Sequence, residues 1–251
     1  MRSNILVRLF GFPAALLHGD TLVLDRWLWL KRKFSEEPNQ RSVLDVGCGS
    51  GAFTIGLSRM GFKTLGLTWA DQDAIVARKR AELSKANTCT FEVYDVRKLH
   101  ERTDFHHAFD YAVCTENIEH ILNDQKLMLD ISECLKPGGK LFLTTPNINF
   151  IPMSKEDLDP LSTIENGGHV RRGYSKDDLE ALCKGSGFKV VEIGYVSGFI
   201  SQKLTGLLRR LNNFIPMLGY ILTFPFRFLP PLFDRFIPYT GYSITLVAIK
   251  L

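Results

Sequence analysis

Residues 42–54, SVLDVGCGSGAFT, constrain the fold more than any other stretch of this chain. An apolar, strand-forming run passes into glycines at 47, 49 and 51, and then into residues with helical spacing. Glycine opens backbone conformations closed to other residues and lets a ligand come close to the main chain. A strand that ends this way belongs to an open α/β sheet, where ligands sit beyond the carboxyl ends of the strands. Read alone, Gly47, Gly49 and Ala52 also satisfy the dinucleotide fingerprint, so the loop leaves its ligand open.

The rest of the chain repeats the strand-then-helix rhythm. KTLGLTW, TFEVYDV, FDYAVCTE, KLFLTTP, KVVEIGYV and SITLVAIKL read as further strands. Helical segments are expected at 70–87, at 123–135 and, with Ser175 as N-cap, up to about Gly185. Such alternation builds βαβ units and hence an α/β fold, a Rossmann-like, seven-stranded, mainly parallel sheet. The 251 residues, 45% of them hydrophobic, suffice for one domain with its own core. The expected division is an N-terminal helical segment over 1–41, a core over 42–196 and 243–251, and a helical hydrophobic insert over 197–242. A structureless loop as long as that insert would be unusual in a compact domain.

A net charge of only +4 calls for no nucleic-acid partner. Cysteines 48, 89, 114, 134 and 183 are scattered and never form a CxxC pair, which points to free thiols in a reducing cytoplasm. The N-terminus has a basic start and an apolar stretch. Arg8 interrupts that stretch and no cleavage site follows, so a short amphipathic helix is expected rather than a signal peptide.

Taken together, VLDVGCGSG, TFEVYDV, FDYAVCTENIEHI, LKPGGKLFLTTPN and GFKVVEIG resemble class I S-adenosylmethionine-dependent methyltransferases, from about Ser42 to Val196 and again at the last strand. The resemblance implies an antiparallel last strand and S-adenosylmethionine as cofactor. It implies that Asp45, Gly47, Cys48, Gly49 and Gly51 face the methionine and ribose part of that cofactor. Thr115 would line the methionine end, and Asp95 with Val96 the adenine. In one respect the chain departs from the family. The acid that usually ends the second strand and holds the ribose hydroxyls is replaced by Thr68, which can take only part of that role. Trp69 then has two readings, adenine contact or core, and Asp71 is a candidate to reach the ribose.

CTENIEHI, after the fourth strand, packs Glu116, Glu119 and His120 into five positions. If the chain turns helical at Glu116, all three share one face. Two carboxylates and an imidazole so placed repel, or shift their pKa values, unless a cation lies between them. The pattern resembles the ubiquinone-pathway O-methyltransferases and the small-RNA terminal 2′-O-methyltransferases, whose matching residues bind a divalent metal. The RNA group adds a second histidine from a loop after the fifth strand, a place held here by His169 in GGHVRRGYS. The resemblance thus implies Glu116, Glu119, His120 and His169 as ligands to Mg, Mn, Zn or Fe. Two other readings stand beside it: His120 or His169 as a metal-free base, with Glu116 among the catalytic groups, and acids that merely favour a helix N-terminus.

Residues 197–242 hold five basic residues against one acid, together with seven of the 18 phenylalanines. That composition suits peripheral membrane contact, a homodimer surface or a cover over a hydrophobic substrate. The basic residues are too few for a nucleic-acid footprint. The expected activity is methylation of a hydroxyl on an amphiphilic small molecule, such as a sugar, a lipid-linked glycan or a prenylated metabolite. The alternatives are metal-free N- or C-methylation and an inactive cofactor-binding partner subunit.

Overall fold

The computed structural model describes residues 2–17, 21–35, 37 and 40–251 of the chain. Three helices come first, α1 (Arg2–Phe10), α2 (Pro13–Leu17) and α3 (Thr21–Phe34). The alternating part follows as β1 (Ser42–Val46), α4 (Ala52–Arg59), β2 (Lys63–Thr68), α5 (Asp71–Leu83), β3 (Cys89–Val93), β4 (Phe109–Thr115), α6 (Asp124–Cys134), β5 (Leu135–Pro146), α7 (Lys176–Gly185) and β6 (Phe188–Val196). Three helices, α8 (Phe199–Phe214), α9 (Leu218–Thr223) and α10 (Leu229–Phe233), separate β6 from β7 (Ser243–Lys250).

The strands form one sheet in the order β3-β2-β1-β4-β5-β7-β6. Pairs among β1 to β5 are parallel, while β7 runs antiparallel to both β5 and β6. Strands buried on both faces need apolar residues at nearly every position. In β4, Ala112 and Cys114 join the core under α6 and α7, while Tyr111 and Val113 join the core under α3 and α4. Chain order reverses between β1 and β4, and this switch point opens the crevice in which such sheets bind ligands.

Local signals account for the element ends. Ser175 caps α7 through its hydroxyl, and Asp178 returns the bond to the Ser175 N–H (2.9 Å). After α4 the chain turns at Gly61, with φ of 99°. β5 starts five residues earlier than the KLFLTTP pattern, directly after α6, and a register irregularity against β4 takes up the Pro137–Gly139 turn. The amphipathic rhythm over 204–222 divides at Pro216, which cannot continue α8.

Among the described residues the N-terminal segment holds three helices, and α3 is the one that matters for the core. Phe34, 1% exposed, packs its ring 5.0 Å from Phe62, 5.3 Å from Tyr111 and 4.6 Å from Phe142. Aromatic contacts of this kind carry large burial and directional packing. We expect Phe34→Ala to lower the unfolding free energy by about 3–5 kcal/mol through lost burial and a residual cavity. Urea unfolding followed by far-UV circular dichroism measures it.

Candidate active site

The glycine loop after β1 forms the floor of a crevice at the switch point. Gly47 and Gly49 adopt φ of 84° and 50°. A Cβ on Gly47 would lie 2.5 Å from the Asn117 side chain, so only glycine fits beside the turn that ends β4. A Cβ on Gly49 would meet nothing within 4 Å, and its backbone faces open space. Thr68, Trp69, Asp73, Asp95 and Val96 line the same crevice opposite the loop. Trp69 is 57% exposed, so its core reading is overturned: it is a wall of the crevice. Asp71 begins α5 on the outside and takes no part in the lining, whereas Asp73, two residues on, does. Sequence reasoning missed Asp73 because choosing between them needed the true helix start.

Asp45 lies behind the loop, 1% exposed, in a neighbouring recess that also takes Cys48, Thr115, Arg26 and Arg80. Thr54 Oγ1 donates to Asp45 Oδ2 (2.6 Å), while Oδ1 is buried without a hydrogen-bond partner. Burial pushes the Asp45 pKa up to about 6, against the pull of the Thr54 bonds. Burial also raises the Cys48 thiol, which leaves it protonated and inert. Gly51 stands at the N-cap of α4, where a Cβ would come within 2.6 Å of Phe91. Asp95 is held below the usual carboxylate range by Arg97, which forks onto it at 2.7 and 2.6 Å. Arg97 also reaches Glu165 (2.8 Å) in the loop over the crevice.

The charged cluster after β4 does not start a helix. Glu116 is left-handed, with φ of 48°, and Asn117 has φ of −132° before a short 3₁₀ turn at Ile118–His120. This break points the Glu116 carboxylate toward α3. The carboxylate pairs with Arg26 of α3 (2.8 Å) and accepts from Thr144 Oγ1 (3.0 Å) and Ser243 Oγ (3.1 Å). The expected set of four therefore divides, with Glu116 on an arginine and three residues together. No short-range pattern signals Arg26, which stands 90 positions from its partner.

Glu119, His120 and His169 do converge, each offering a ligand atom within 4.8 Å of the others. The two imidazole rings lie 4.6 Å apart and nearly perpendicular, at 82°. Glu119 is 0% exposed; Thr145 Oγ1 donates to its Oε2 (3.2 Å), and Oε1 has no hydrogen-bond partner. Desolvation, and then the charge of Glu116, raise its pKa well above the ordinary value. Desolvation and the nearby His120 lower that of His169. His120 Nδ1 donates to the Gly168 carbonyl (3.1 Å), so Nε2 is the ring nitrogen that faces Glu119 Oε1, 3.9 Å away. The loop is stitched to this turn where the Val170 N–H donates to the Glu119 carbonyl (3.0 Å). His106 and His107 lie at the far end of β4, exposed.

A second cavity opens on the other side of His169, lined by Phe150, Ser162, Asn166, Arg172, Arg209 and Tyr242. The histidine pair thus stands between the glycine-loop crevice, which includes His120, and this cavity, which includes His169.

Asp45 gives a pH-dependent test. Its folded pKa of about 6 lies above its ordinary value of 3.8, so the folded state holds the proton more tightly and loses stability as pH rises between them. Asp45→Asn removes this loss. We expect the variant to gain on the wild type from about pH 4 to pH 6 and to stay ahead by about 1–3 kcal/mol at pH 8. Denaturant unfolding at stepped pH reads it.

Comparison with known proteins identifies the family and the fold. Residues 24–193 match the methyltransferase domain family model. The ubiquinone biosynthesis O-methyltransferase of Coxiella burnetii is 34% identical over 110 residues, 44% of this chain and 45% of that protein. The mitochondrial one of Homo sapiens is 27% identical over 156 residues, 59% of this chain and 41% of that protein. The chain thus spans less than half the length of these curated relatives. Among solved structures, a sarcosine dimethylglycine methyltransferase described as putative, from Galdieria sulphuraria, superposes with a TM-score of 0.64 at 15% identity, over 91% of this chain and 86% of that one. The [4+2]-cyclase SpnF superposes with a TM-score of 0.62 at 18% identity, over 91% and 82%. These two likenesses concern the fold. With the family model covering well over half of its length, the chain belongs to the methyltransferase domain family.

Proposed function

We propose that this chain transfers a methyl group from S-adenosylmethionine to a hydroxyl of an amphiphilic small molecule, with Glu119, His120 and His169 activating that hydroxyl. One observation carries the proposal: a buried carboxylate with an unpartnered oxygen faces two imidazoles at the boundary between the glycine-loop crevice and a second cavity.

The crevice fits the cofactor on its own features. The open face at Gly49 admits a close ligand, Trp69 offers an exposed ring to stack on a base, and in the recess behind the loop the orphaned Oδ1 of Asp45 lacks a donor. Asp95 stands on the adenine side beside Val96, and Cys48, Gly51 and Thr115 toward the methionine. In place of the missing acid at Thr68, Asp73 is the carboxylate that accepts the ribose hydroxyls. Bound there, S-adenosylmethionine supplies an electrophilic methyl on sulfonium. The residues supply orientation, which is worth much of the barrier when reacting atoms are held in line.

Deprotonation of the acceptor falls to the histidine pair. A lowered pKa keeps His169 neutral and able to accept a proton near pH 7. The donor set of one carboxylate oxygen and two imidazole nitrogens also suits Mn, Zn or Fe, and Mg less well. A cation here would satisfy the orphaned Glu119 oxygen and release the proton that burial favours on it. Such an ion supplies one thing, a lower pKa for a hydroxyl bound to it. Glu116, committed to Arg26, fits as a support for the end of β4 and not as a ligand. In the second cavity, Phe150 and Tyr242, with ring centroids 4.9 Å apart, offer apolar faces among polar groups, which suits an amphiphilic acceptor. The name shared by the ubiquinone-pathway relatives favours oxygen over nitrogen as the atom methylated.

Titration calorimetry with S-adenosylmethionine is the first test: binding is expected, and its absence overturns the enzyme reading. Asp73→Ala should weaken that binding by about tenfold, the worth of one or two hydroxyl–carboxylate bonds. Glu119→Gln should leave donor affinity unchanged and abolish the binding of Mn or Zn, followed by calorimetry without substrate. Turnover indifferent to chelator and to Glu119→Gln, yet lost in His169→Ala, would assign the site to histidine alone.

A further inference from the structure

The segment between β6 and β7 leaves large apolar side chains in solvent. Phe214, Ile221, Phe224, Phe228 and Phe236 are each more than half exposed. Side chains of this size gain most from leaving water, and so large a group of them marks a surface that meets something apolar.

The exposed ionic groups of the same segment are all cations. Its single acid, Asp234, is taken up by the start of α8, accepting from the N–H of Ile200 (2.7 Å) and of Ser201 (3.1 Å). Arg209 is bonded to Asp157 (2.8 Å), and the buried Arg227 donates to the Leu17 carbonyl. Lys203, Arg210 and Arg235 remain exposed, with Lys203 over the Phe199 ring and Arg235 over Phe236. Positive heads beside apolar rings are the chemistry of a lipid interface, where rings enter the acyl boundary and cations meet phosphates.

We propose that this face docks on the surface of an anionic lipid bilayer. A second copy of the chain fits it less well, since a self-complementary contact would bring these cations near their own symmetry mates with no free acid of the segment to answer them. The docking is superficial. α8 has 16 residues, α9 six and α10 five, each short of the roughly 20 needed to span. No helix among the described residues is long and apolar enough to cross a membrane. The Arg227–Leu17 bond fixes the segment against α2, and α1, which packs on α2, adds Leu9 and Phe10 as exposed apolar groups.

α8 also carries Arg209 into the second cavity. Docking would set α8, which forms part of the wall of the proposed acceptor cavity, beside the lipid surface, where an amphiphilic acceptor resides. This consequence rests on the methyl-transfer reading; the docking itself does not.

Co-sedimentation of the full chain with vesicles tests it. Binding is expected to vesicles of equal parts phosphatidylcholine and phosphatidylglycerol, weakening as salt is added, and to be much poorer with phosphatidylcholine alone. The combined K203Q, R210Q and R235Q variant should bind the mixed vesicles about a hundredfold more weakly, about fivefold per charge. The combined F224S, F228S and F236S variant should fall to the level seen with phosphatidylcholine alone. Circular dichroism establishes that both variants fold, and donor titration in parallel keeps a failed cofactor reading distinct from failed docking. No binding to the mixed vesicles, or undiminished binding by either variant, overturns the proposal. So does a dimer in sedimentation velocity that the phenylalanine substitutions dissolve.

Discussion

A strand buried on both faces has to release its backbone at its carboxyl end, and β4 does so through a left-handed Glu116 with φ of 48°. The conformation costs a non-glycine residue about 1–2 kcal/mol. It is held by the Glu116 N–H donating to the Thr144 carbonyl (2.8 Å) and by the charge-assisted bond from Arg26 (2.8 Å). From this one residue the site unfolds in three directions. Glu116 turns toward α3, Asn117 packs against Gly47, and the turn at Ile118–His120 faces the loop that carries His169. The turn gives Glu116 the Arg26 guanidinium as its partner, while its charge still opposes the ionisation of Glu119.

The separation leaves the two carboxylates in different electrostatic settings. Glu116 has a guanidinium and two hydroxyls. Glu119 has burial, one threonine hydroxyl at 3.2 Å and an imidazole at 3.9 Å. Burial without full compensation is costly, and structures tend to keep it where chemistry needs it. The Gly168 carbonyl on His120 Nδ1 fixes which imidazole nitrogen faces the carboxylate, so the loop acts on the site even where it does not enter it.

The same loop reaches the other end of the crevice. Glu165 accepts from Arg97 (2.8 Å) and from the Leu122 N–H (2.6 Å), and Arg97 forks onto Asp95. A chain of charged bonds thus joins the Asp95 side of the crevice to the loop bearing His169. On the opposite flank, α3 ties the aromatic core to the site through Phe34 and Arg26, and α8 packs on α3 where Ser201 donates to Asp25 (2.5 Å). Burial lifts that aspartate to about pKa 6.

Local patterns carried the parts of this protein that depend on neighbours in sequence. The strand runs, the glycine turn at 47–51, the Ser175 cap and the alternation that makes a parallel sheet follow from periodicity and backbone preference, which act over a few residues. Glu119, His120 and His169 were expected together, with Glu116, only through the resemblance to metal-dependent methyltransferases, and the three of them converge while Glu116 does not. Tertiary structure alone decided the partner of Glu116, the choice of Asp73 over Asp71, the exposure of Trp69 and the second cavity behind His169. Each of these depends on a dihedral angle at one residue or on contact between segments far apart in the chain. Residue spacing holds no record of either.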